Sequence, residues 1–174
     1  MNIYKSKISA SSVKSALLDL GSPVKAASSA WFFKTGKGQY GYGDKFIGVT
    51  VPKKRKVAKE FADLPLGEID KLLKSKIHEC RLTALFILIG QFKKAKNFDS
   101  GEIVRFYLVH AKYINNWDLV DSSASYILGS YLLAGLHKDR EILYKMAKSE
   151  SMWERGSRSF LRSLSLRKVS LMTH

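Results

Sequence analysis

Between His78 and Lys96 the chain sets Leu82, Leu85, Phe86, Ile89 and Phe92 at steps of three and four, with Ala84, Ile87 and Leu88 beside them. That spacing is the helical period, and an apolar surface broader than one stripe belongs to a helix enclosed by protein on most sides. A helix of this kind needs other helices to cover it. Prolines occur only at Pro23, Pro52 and Pro65 in 174 residues, and good helix formers recur elsewhere at the same spacing. Helices are therefore predicted from Pro52 to about Asp63, Leu66 to Lys74, Asp99 to Tyr113, Trp117 to Leu133 and Lys138 to Ser149, with an amphipathic helix at the N-terminus. Their similar lengths and short turns fit an all-α fold of stacked antiparallel pairs, a HEAT-like α-solenoid in a short form; without a strict sequence period, a plain helical bundle is the alternative.

Thirty Lys plus Arg against fifteen Asp plus Glu leave a formal charge of +15. An imbalance of that size repels itself in a compact state, so a polyanionic partner is expected to neutralise it. Nucleic acid ranks first, ahead of an anionic membrane surface or an acidic protein. The opening MNIYKSKISASSVKSALLDL lacks the uninterrupted apolar core of a signal peptide, and no apolar run approaches the roughly 20 residues that span a bilayer. A cytoplasmic protein, nucleoid-associated through its DNA, is the expectation, with no membrane and no obligate protein partner. The single cysteine, Cys80, excludes an internal disulfide, and four scattered histidines do not fall into metal-ligand spacing.

The segment TGKGQYGYGDKFIG, with Gly36, Gly38, Gly41, Gly43 and Gly48, reads as a loop between helices. Neither the dinucleotide fingerprint nor the Walker spacing occurs in it, which argues against a phosphate cradle. In the next helix, Val57, Ala58 and Phe61 share one side while Lys53, Arg55, Lys56 and Lys59 occupy the other, a continuous basic face of the kind that grips a phosphate backbone. The string PKKRKV also has the form of a basic nuclear-import signal, but its amphipathic continuation through Phe61 favours a folded element.

In NNWDLVDSSASYILG, Asn116 is the expected N-cap and Trp117, Val120, Ala124, Leu128 and Tyr131 form an apolar arc. Asp118 lies on the polar side with Ser122, Ser125 and Gly129, where a first-turn carboxylate simply favours the helix dipole. Asp121 falls inside the arc. A carboxylate there costs several kcal/mol unless it is paired or lines a cleft. It either pairs with a buried arginine such as Arg81 or, one turn from Trp117, meets a cationic planar substrate such as an alkylated purine.

Four ordered strings, WFFKTGKGQYGYGDKFIGVTVPKKRKVAKEF, HECRLTALFIL, NNWDLVDSSASYILG and SESMWER, resemble the DNA alkylation repair (AlkD-like) glycosylase family across roughly residues 25 to 155. The resemblance implies HEAT-like helical pairs on residues 1–155 that grip duplex DNA containing alkylated bases, and hydrolysis of the N-glycosidic bond of N3- and N7-alkylated purines. It assigns Trp117 and Asp121 as catalytic, and Phe32, where the family often has a tyrosine, to the lesion-facing wall. Lys34, Lys53, Arg55, Lys56, Lys59 and Arg155 would face the DNA. An alkylated purine is already a good leaving group, so Asp121 need only stabilise an oxocarbenium-like sugar while Trp117 packs on the deoxyribose; the base need not rotate into a pocket. No metal and no other cofactor is required by that chemistry.

The pattern departs after SESMWER. Residues 156–174, GSRSFLRSLSLRKVSLMTH, form a divergent Ser- and Arg-rich basic tail where the family continues with further helical pairs, as in a C-terminally truncated member. Gly156 stands where an arginine is expected, with Arg155 its nearest substitute. Two readings stand beside the glycosylase: a catalytically silent DNA-binding scaffold, and an inactive fragment.

Overall fold

A computed structural model of the chain describes residues 8–39, 41–95 and 97–133. The expected helix from Lys138 to Ser149, Arg155 and the tail from Gly156 lie outside the described residues. The chain forms two compact units, residues 1–94 and 95–174.

The first unit contains α1 (Ala10–Leu18), α2 (Pro23–Phe32), α3 (Val51–Glu60), α4 (Leu66–Leu73) and α5 (His78–Lys94). Local chemistry sets the boundaries. Ser9 and Ser22 cap α1 and α2, their side chains accepting from Ser12 N and Lys25 N, and Pro23 and Pro52 occupy the first turns of α2 and α3, where a missing N–H costs nothing. α5 packs against α1, α3 and α4, and every residue from His78 to Ile89 is buried. Leu82, Leu85, Ile87 and Leu88 of α5 are buried in the core together with Leu17, Leu64, Ile69 and Leu73, each such side chain contributing about 1.5–3 kcal/mol by leaving water. Gln91 fastens the turn after α3 by donating its amide to Ala62 O at 2.9 Å and Leu64 O at 2.8 Å. Cys80 is fully buried in α5, where desolvation pushes its thiol up to about 11 even though a hydrogen bond from Ser75 opposes the shift.

The second unit begins with α6 (Asn97–Val109), a 3-10 turn (Ala111–Tyr113), and α7 (Trp117–Ala124) running through a π turn (Ser125–Gly129) into α8 (Ser130–Leu133). α6 packs against α8. Ser123 Oγ donates to Leu119 O at 2.6 Å, so the buried Tyr107 hydroxyl, 2.9 Å away, donates to Ser123 and ties α6 to α7. The fold is all-α, as the spacing predicts. Among the described residues there is no strand; Lys45 and Ile77 form one isolated parallel bridge, and no helix is long and apolar enough to cross a membrane.

Candidate functional site

The glycine-rich segment is the expected connector, occupying the interval between α2 and α3. Polar side chains from the start of α5 hold it. The Glu79 carboxylate, itself buried, accepts from Gly48 N at 2.8 Å, Ile47 N at 3.1 Å and Val49 N at 3.4 Å. Gly48 has φ 77°, and a Cβ there would come within 2.1 Å of Ser22 O and 2.6 Å of Ala26 N. Only glycine lets the segment approach α2 so closely.

Arg81 donates to Asp44 Oδ2 at 2.7 Å and to Ser75 O at 3.0 Å, so its partner is Asp44 and not Asp121, the pairing entertained from the sequence. His78 Nδ1 lies 3.6 Å from the same carboxylate oxygen. Desolvation acts to raise the Asp44 pKa, but His78 and the Arg81 guanidinium outweigh it and hold the carboxyl below its ordinary value. Above this cluster, His78, Phe46 and Phe33 stack with ring centroids 4.8–5.1 Å apart, and Phe32 meets Phe33 edge-on at 5.1 Å. The aromatic end of α2 is thereby seated on a buried ion pair.

α2 closes in a Schellman turn. Lys34 N–H donates to Trp31 O and Thr35 N–H to Ala30 O, both at 3.2 Å, and Lys34 takes the left-handed conformation with φ 51° usually given to glycine. Trp31, Phe32 and Lys34 are all exposed, and they line an open cleft of about 630 Å³ with Ala30, Thr35, Gly36 and Gln39.

On α3, Lys53, Arg55, Lys56 and Lys59 are exposed as the wheel predicts. Lys54 is buried on the row of Val57, Ala58 and Phe61, so the PKKRKV string is not presented whole. The Arg55 guanidinium lies 4.3 Å from the centroid of the Phe86 ring. That stacking orients the cation while its in-plane N–H groups remain available to an acceptor.

In the second unit, Asn116 caps α7 as expected, its side chain accepting from Asp118 N at 3.3 Å. The position of Asp121 corrects the sequence reading. The buried face of this stretch is Leu119, Val120, Ser123, Ala124, Ile127 and Leu128, whereas Trp117 is 39% exposed and Asp121 is exposed. At about 100° per residue, Leu119 and Ile127 draw the centre of the apolar arc away from Asp121, and Ser123 joins it because its hydroxyl is fully bonded. Gly129, expected on the polar side, is buried, since the wider π turn shifts the helical register at its C-terminal end. Asp121 therefore meets solvent on the same flank as Trp117 and has no ion pair among the described residues. Sequence reasoning missed Trp31, Asp44 and Glu79; only the adjacency of Trp31 to Phe32 was available as a signal.

Among the described residues the chain is helical, with an exposed row of cations on α3 in the first unit and a solvent-facing carboxylate one turn from a tryptophan on α7 in the second. A family described as DNA alkylation repair enzyme matches residues 13–158, and the chain belongs to that family. Its substrate class is accordingly DNA. No curated protein matches the chain significantly.

Proposed function

We propose that the protein is a DNA glycosylase hydrolysing the N-glycosidic bond of N3- and N7-alkylated purines in duplex DNA, with its helices organised as HEAT-like pairs and its place of work the nucleoid. The observation that carries the reading is Asp121, exposed beside the partly exposed Trp117 and without a neutralising cation among the described residues. A carboxylate in that condition is available to positive charge arriving from outside. As the bond to an alkylated purine breaks, charge develops on the sugar ring, and a fixed anion beside it lowers the barrier. Trp117 offers the ring surface that keeps the deoxyribose next to the carboxylate. Water completes the hydrolysis, and the neutral purine leaves. Lys53, Arg55, Lys56 and Lys59 would supply backbone affinity, with Lys34 and Phe32 on the DNA-facing side of the first unit.

The test is release of alkylated bases from methylated duplex DNA at low salt, where backbone binding is strongest. Wild type should release base, and Asp121→Asn should slow release by about a hundredfold or more while leaving duplex affinity unchanged. A wild-type protein that binds the duplex and releases nothing at any concentration would overturn the hydrolytic reading in favour of a DNA-binding scaffold.

A further inference from the structure

We propose that the cleft at the end of α2 binds an unpaired DNA base, with Trp31 as the stacking surface. Trp31 is 84% exposed and Phe32 is 56% exposed, and adjacent aromatic rings exposed to this degree are unusual in a protein that has a core to receive them. Both rings line the same cleft, whose volume of about 630 Å³ falls within the range of small-molecule sites.

The cleft is preformed. Phe32 rests edge-on against Phe33, and Phe33 is stacked on the buried His78. The Schellman bonds of Lys34 and Thr35 close the backbone beneath. Gly36 N–H donates to Gln39 Oε1 at 2.9 Å, which commits the carbonyl end of that amide and leaves its NH2 to donate outward. Lys34 adds a cation to the lining, no acidic residue lines it among the described residues, and the exposed Lys37 stands in the same turn.

An aromatic face, an edge donor and lysines are what a nucleotide requires: a ring to stack, a base acceptor to satisfy and a phosphate to neutralise. An apolar peptide would leave the lysines idle, and a free phosphate would leave the rings idle. The base received is one already unpaired, in a bulge or a single-stranded stretch. The inference rests on the DNA-binding part of the proposed function and not on its chemistry.

The test compares the full chain on three DNAs of equal length: a paired duplex, the same duplex with a one-nucleotide bulge, and one whose bulged nucleotide lacks its base. Wild type should bind the base-bearing bulge about tenfold more tightly than the other two. Trp31→Ala should lose that preference while keeping its affinity for paired duplex, and Trp31→Phe should retain most of it. Equal binding of the two bulges by wild type, or a preference that survives Trp31→Ala, would overturn the proposal. Tight Trp31-dependent binding to phosphatidylserine vesicles without any bulge preference would reassign the cleft to a membrane surface. Failure to bind any of the three DNAs would remove the DNA-binding reading itself and this inference with it.

Discussion

Single residues in the first unit carry unequal weight, and the burdened ones serve the loop between α2 and α3. Gly48→Ala forces a Cβ against Ser22 O and Ala26 N at a φ of 77°; we expect a loss of about 2–4 kcal/mol in chemical denaturation, whereas Gly67→Ala, inside α4 where a Cβ would meet nothing within 4 Å, should be neutral or gain up to about 1 kcal/mol. Asp44→Asn leaves the Arg81 charge buried without its counter-ion and should cost about 3–5 kcal/mol. The same carboxylate makes stability depend on pH. Its folded pKa lies below the ordinary 3.8, so the unfolded chain takes up the proton first as pH falls. The Asp44 contribution is then complete above about pH 5 and is lost progressively as pH drops through 4 toward the folded value. Denaturation midpoints measured between pH 6 and 2.5 should fall for wild type and stay flatter, from a lower start, for Asp44→Asn.

At the scale of elements, α3 and α7 show how differently a sequence declares two kinds of surface. The cationic face of α3 was legible because four charged positions alternate with Val57, Ala58 and Phe61 at a period that sterics leave unambiguous. Replacing Lys53, Arg55, Lys56 and Lys59 with glutamine should reduce the slope of log affinity against log salt by up to about 3–4 for duplex DNA; an unchanged slope would take α3 out of the interface. α5 was equally legible, since no helix apolar on all sides can lie on a surface. α7 was not. Apolar residues sit on both flanks of Asp121 there, and neither the bonding of Ser123 to Tyr107 nor the π turn is written in the local spacing. The Asp44–Arg81 pair was hidden for another reason: 37 residues separate its members, and only the folded loop brings them together.

For the whole molecule, the dominant quantity is the formal +15, which acts at a distance that no single contact does. Association with DNA should be fast at low ionic strength and slow steeply as salt rises, because screening shortens the reach of the field to about 10 Å at 0.1 M. Stopped-flow binding between 20 mM and 200 mM salt measures this, and a salt-independent on-rate would count against electrostatic capture. The buried Cys80 has a practical consequence of its own. With its thiol inside α5 and its pKa pushed up to about 11 by burial, the native chain should be inert to maleimide and disulfide reagents at neutral pH, yet yield one reactive thiol in denaturant. A cysteine introduced at an exposed position such as Ser28 would then be the sole address for a fluorophore, and the natural one could stay where it is.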